Sequence, residues 1–137
     1  MKKLITSISS VIWILSASPA HAGRTQPKPV SCYFFRGEQL ELRQTCIYES
    51  ASGAGFWAAY LQWEDGVKTR ISRGIASQDD KRCKNEGLSL DRVCGLSYYR
   101  HPQTLKRMSD EDIKRMRMNN QKTILCVQVD RNSVCYL

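Results

Sequence analysis

Histidine is almost absent from this chain. His21 and His101 are the only two among 137 residues, and His21 falls in a segment that reads as a leader. A serine or cysteine nucleophile would have to find its base at His101, which stands between Arg100 and Pro102 in the setting of a turn or surface residue. No Cys-x2-Cys pair occurs, which removes the closely spaced ligands of a structural zinc site. The paired acids of a glycosidase must face each other across a cleft. Glu38, Glu41, Glu49, Glu64 and Asp65 offer only ordinary surface carboxylates for that work, and Asp65 has a turn to make. Long apolar runs are missing too: the stretch ending at Leu15 is short and interrupted by Thr6, Ser7, Ser9 and Ser10, too little to cross a membrane. The expectation is a protein without a catalytic constellation, metal site or cofactor, with a small secreted hydrolase as the enzymatic alternative.

What the N-terminus does have is an export signal. Lys2 and Lys3 precede the apolar stretch, and Ala20-His21-Ala22 supplies a small-x-small cleavage site, so residues 1–22 read as a signal peptide and Gly23 as the first residue left. The remaining 115 residues suit one domain, with 19 basic against 13 acidic side chains and hence a charge of +6. Periplasmic or extracellular residence is expected. A basic surface there attracts acidic polysaccharide or lipid head groups, and export makes nucleic acid an unsuitable partner.

Residues 23–30 (GRTQPKPV) read as a flexible, extended Pro-rich leader, and residues 31–137 as the domain. Ser31–Phe35 and Leu40–Tyr48 alternate around Arg36-Gly37-Glu38-Gln39, the mark of a hairpin. Ser50–Gly55 reads as a loop. Phe56–Trp63 is apolar on both faces, Asp65-Gly66 is a strong hairpin turn, and Val67, Thr69 and Ile71 continue inward-facing, which predicts a sheet centre here. Ser77–Asp91 lacks either period and reads as a surface excursion. Leu96–Tyr99 is a short strand, and a helix follows with Ser109 as N-cap and Asn119-Asn120 as its stop. Thr123–Val129 and Val134–Leu137 form a last hairpin. The fold class is mainly β with one short C-terminal helix, an antiparallel sheet or partly open barrel stapled by disulfides.

Cys32, Cys46, Cys83, Cys94, Cys126 and Cys135 all lie beyond the leader, where thiols oxidise. Six cysteines allow fifteen pairings, and neighbour pairing is the economical one. An Arg131-Asn132 turn would set Cys135 opposite Gln128, only diagonal to Cys126. The candidate contact surface combines Tyr98, Tyr99 and Arg100 with Lys106, Arg107, Lys114, Arg115 and Arg117, since aromatic faces and cations suit anionic glycans. The function expected is therefore a non-enzymatic binding or envelope-associated module.

Two resemblances add to this. Cys32-Tyr33-Phe34, Leu61–Thr69, Val93–Arg100 and Cys126–Val129 together resemble small exported cysteine-containing proteins of cyanobacterial type, a group that brings no activity with it. Ser50–Phe56 followed by Trp63-Glu64-Asp65-Gly66 is similar to the loop and turn of periplasmic inhibitors of c-type lysozyme, small antiparallel barrels. That resemblance implies that Ser52, with Gly53, enters a lysozyme cleft. Phe56 replaces the usual tyrosine and Asp65 the turn lysine, and a +6 chain would be repelled by a basic lysozyme.

Overall fold

The computed structural model describes residues 23–75, 80–84 and 87–137; the expected signal peptide and part of the 77–91 excursion lie outside them. Among these residues nine strands and one α-helix run in the order β1 (Lys28–Arg36), β2 (Gln39–Gly53), β3 (Phe56–Gln62), β4 (Lys68–Gly74), β5 (Ser89–Leu90), β6 (Val93–Cys94), β7 (Leu96–Arg100), α1 (Asp110–Met118), β8 (Ile124–Val129) and β9 (Asn132–Tyr136). They make one antiparallel sheet ordered β6-β5-β4-β3-β2-β1-β9-β8-β7. The two end strands of that order are neighbours in sequence, separated only by Gly95. The run 93–100 therefore pairs with β5 at its start and β8 along its end, nearly closing the sheet into a barrel. A Cβ on Gly95 would lie 2.5 Å from the Gln128 carbonyl oxygen, so only glycine allows β7 to approach β8 this closely.

Period-two alternation sorts side chains to two sides of the barrel wall. Inside, Cys32, Cys46, Ala59, Leu61, Ile71, Leu88, Val127 and Val134 pack with Val30, Phe34 and Tyr48. Outside, over β1, β8 and β9, a second cluster holds Tyr33, Phe35, Ile124, Cys126 and Cys135, covered in part by Leu105 from the connection that follows β7. Strand β1 is thus buried on both faces. Each fully buried side chain such as Phe35 or Leu61 contributes about 1.5–3 kcal/mol.

The expected hairpins and the helix form. Ser109 caps α1 by accepting from the Asp112 amide, and Asn120 takes φ 54° just past its end. Cysteines pair with their neighbours: Cys32–Cys46, Cys83–Cys94 and Cys126–Cys135.

Several local expectations need correction. Ser50–Gly53 is not loop but the end of β2, with the turn reduced to Ala54-Gly55. The stretch 23–30 is extended but held to the domain: Lys28–Val30 belong to β1, the Thr25 amide donates to the Ser50 carbonyl, and the Ser52 amide donates to that of Gly23. Strands β3 and β4 are interior strands as expected, each paired on both sides, although the middle of the strand order falls one strand further on, at β2. The Asp65-Gly66 turn spans three residues between the paired Trp63 and Val67, with Gly66 alone at positive φ (86°), rather than a two-residue primed turn. The last hairpin turns at Asp130-Arg131, one residue earlier than expected, which puts Cys126 directly opposite Cys135.

Candidate functional site

The expected contact surface divides when its residues are placed. Arg100 is only 1% exposed and points into the outer cluster, its guanidinium 4.0 Å from the centre of the Phe35 ring. All its N–H groups are engaged: Nε and Nη2 donate to the Tyr98 hydroxyl, Nη1 to Glu38 (3.0 Å) and the Leu105 carbonyl, and Nη2 to the Gly37 carbonyl. Arg107 covers the Tyr98 ring at 3.9 Å and donates to Glu38 and Gln128. Burial raises the Glu38 carboxyl, but the hydrogen bonds and charges of Arg100 and Arg107 outweigh it and hold that group below its ordinary value. Tyr98, Arg100 and Arg107 are therefore occupied in pinning the β1–β2 turn and the segment after β7 to the barrel.

The remaining members are looser. Arg117 lies over Tyr99 at 5.1 Å, beside a cleft of about 470 Å³ between β7 and α1 that Lys114 also lines. Asp110 and Glu111 line the same cleft and offset its cations. Arg115 pairs with Asp112 on the helix surface, and Lys106 is exposed. His101 accepts the Gln103 and Thr104 amides in its turn, which leaves its imidazole in a structural role.

A better site lies at the end of the barrel where β2 turns into β3 and β4 ends. Trp57, an inward-facing residue of β3, stands directly across from Arg73 at the end of β4, and Phe56 stands across from Gly74. With Arg82, Lys84 and the Cys83–Cys94 disulfide these residues line a cleft of about 750 Å³. Glycines shape its wall. A Cβ on Gly53 would run into the Phe56 ring and one on Gly74 into the Gly55 carbonyl, so the strand ends close tightly there and the Phe56 ring lies against Gly53. Arg73, Arg82 and Lys84 form no ion pair among the described residues, and no carboxylate is among the described lining residues. Composition signals the cations but not their convergence: residues 56–57, 73 and 82–84 meet only once the sheet curls.

The opposite end of the barrel differs in sign and chemistry. There Phe34, Leu42, Trp63 and Val67 line an apolar opening of about 430 Å³ with Glu64 and Asp65 at it. The Asp65 carboxylate accepts the Val67 amide and serves its own turn. Ser52 and Asp65 thus flank opposite ends of seven-residue β3, on the order of 20 Å apart along the strand. Ser52 is exposed, and its hydroxyl donates to the Gly23 carbonyl at 3.4 Å.

Among the described residues no helix is long and apolar enough to cross a membrane, and no cluster of His, Cys, Asp or Glu could hold a metal ion. Three disulfides fit an oxidising, non-cytoplasmic environment. Comparison with known proteins finds no match to a family model, to a curated protein or to a solved structure.

Proposed function

We propose that this chain is an exported, non-enzymatic binding module that holds an anionic, sugar-bearing ligand of the envelope-glycan class in the cationic mouth of its barrel. The observation carrying this reading is the convergence of Arg73, Arg82 and Lys84, from two separate segments and without acidic partners among the described residues, around Phe56 and Trp57. The C–H face of a sugar ring packs on an aromatic floor, while a carboxylate, sulfate or phosphate takes charge-assisted hydrogen bonds from guanidinium groups. Barrel mouths are frequent ligand sites for the same geometric reason: walls on all sides and a ready-made opening. The net charge of +6 left on residues 23–137 favours encounter with an anion. The sites on β7 and α1 fit this role less well, because their strongest cations are already paired.

The test is a titration of tryptophan fluorescence with acidic oligogalacturonate, with a neutral oligosaccharide and anionic vesicles as parallel arms. Acidic sugar should bind, binding should fall steeply as ionic strength rises from about 0.01 to 1 M, and the Arg73→Glu, Arg82→Glu pair should weaken it about tenfold or more. Arg115→Glu and Ser52→Ala should leave it unchanged. Preference for vesicles would move the ligand to lipid head groups, and loss on Ser52→Ala would favour the lysozyme-inhibitor resemblance. Indifference to salt and to charge reversal would reject the mouth as an anion site.

A further inference from the structure

The three disulfides are not equivalent. Cys32, Cys46, Cys126 and Cys135 are between 0% and 1% exposed and sit in the two cores. Cys83 and Cys94 are outside both, with Cys94 exposed and Cys83 half-buried in the wall of the cationic cleft. The segment that carries Cys83 also has non-covalent anchors on either side. Before it, Asp80, whose side chain is 4% exposed, takes a two-pronged hydrogen bond from Arg70 on β4. After it, Leu88 is 3% exposed and belongs to the interior core. The fold is therefore held at positions 80 and 88 whether or not the bond exists. What the bond adds is the position of Arg82 and Lys84, the neighbours of Cys83 and two of the three cations of the site.

We infer that Cys83–Cys94 is a thiol-sensitive latch that sets the affinity of the cationic mouth while the barrel stays folded. This rests on the ligand reading above for its consequence, but not for its chemistry. The reductant is a small or protein-borne dithiol. One of its thiolates attacks an accessible sulfur of the Cys83–Cys94 bond, forming a mixed disulfide and releasing one cysteine as a thiolate. Its second thiol, losing its proton, then attacks the mixed disulfide. Cys83 and Cys94 end as two thiols and the reductant as its own disulfide, two electrons having passed. Arg82 and Lys84 on either side of Cys83 stabilise the thiolate and so favour exchange at this bond over the two buried ones.

The experiment adds dithiothreitol stepwise to the full folded protein and follows three readouts: differential alkylation with peptide mass mapping, near-ultraviolet circular dichroism, and limited trypsin cleavage at Lys81, Arg82 and Lys84. Cys83 and Cys94 should become alkylated first and together, with the dichroism of the oxidised fold retained and cleavage at those three sites faster by about tenfold or more, since the opened segment is released to the protease. Oligogalacturonate affinity should fall in the same step and return on reoxidation, and the Cys83→Ala, Cys94→Ala double variant should show the weak state without reductant. Another pair opening first, all three opening together with loss of dichroism, or no gain in cleavage would overturn the latch. If the oxidised protein binds no acidic sugar, the ligand reading fails alone, and alkylation order and cleavage still decide the latch. If the opened form binds as tightly as the closed one, the bond does not set affinity and the inference fails.

Discussion

Arg100 shows how one side chain can look like a contact residue in sequence and be a structural one in space. It follows two tyrosines in a basic region, the composition of a binding face, yet its guanidinium is spent on Glu38, Tyr98 and two backbone carbonyls. Nothing local in Tyr98-Tyr99-Arg100 reveals this, because Glu38 and Gly37 are more than sixty positions away. A measurable consequence lies in acid stability. The Glu38 carboxyl is depressed in the folded state, so its stabilising contribution is complete above its unfolded value, near the ordinary 4.5, and is lost as pH falls through the lower folded value. Urea denaturation of Glu38→Gln should therefore show a shallower loss of stability than the parent as pH drops below about 4.5. Equal slopes would mean that Arg100 and Arg107 do not hold the carboxylate. Because Glu38 is largely exposed, solvent screens the effect and keeps it modest.

At the level of the element, turns carry most of the information that fixes register. Gly66 stands at φ 86° with nothing within 4 Å of where a Cβ would be, so a substitution there meets a backbone penalty and no steric one. Gly66→Val should cost about 1–2 kcal/mol in urea denaturation, and a neutral result would reject the three-residue turn between Trp63 and Val67. The strands themselves were legible from alternation: Phe56–Trp63 against an observed Phe56–Gln62, and Thr123–Val129 against Ile124–Val129. The cap of α1 was legible because Ser109, the acids after it and Asn120 each have a local reason to be there. Less legible was the end of β2, where small residues read as loop but pair across to β3, the ladder overriding weak local preference. The two-residue strands β5 and β6 gave no signal at all, being too short to show a period. The cationic mouth was missed for the same reason as Glu38: it is assembled by curvature, and period-two patterns say which face a residue takes but not which strands meet.

At the scale of the whole molecule, near-closure rests on the run from Val93 to Arg100 and on the single residue inside it that lacks a side chain. Gly95→Val is the converse of the turn substitution, since its backbone is ordinary but its space is taken, with Val127 and the Gln128 carbonyl in the way. Parting β7 from β8 should cost about 1–3 kcal/mol in the same urea assay, and a stable variant would show that β7 does not pack against β8 here. The disulfides do not share this task. They span 14, 11 and 9 residues, whereas the seam between β1 and β9 joins Arg36 to Asn132, nearly a hundred positions apart. Sulfur chemistry can accordingly finish early in folding, because each pair forms within a hairpin or a short connection that can template it, with little need of reshuffling. The slow step is then the meeting of the first and last strands, a search over the longest loop in the chain, which the 11-residue Cys83–Cys94 link shortens only slightly.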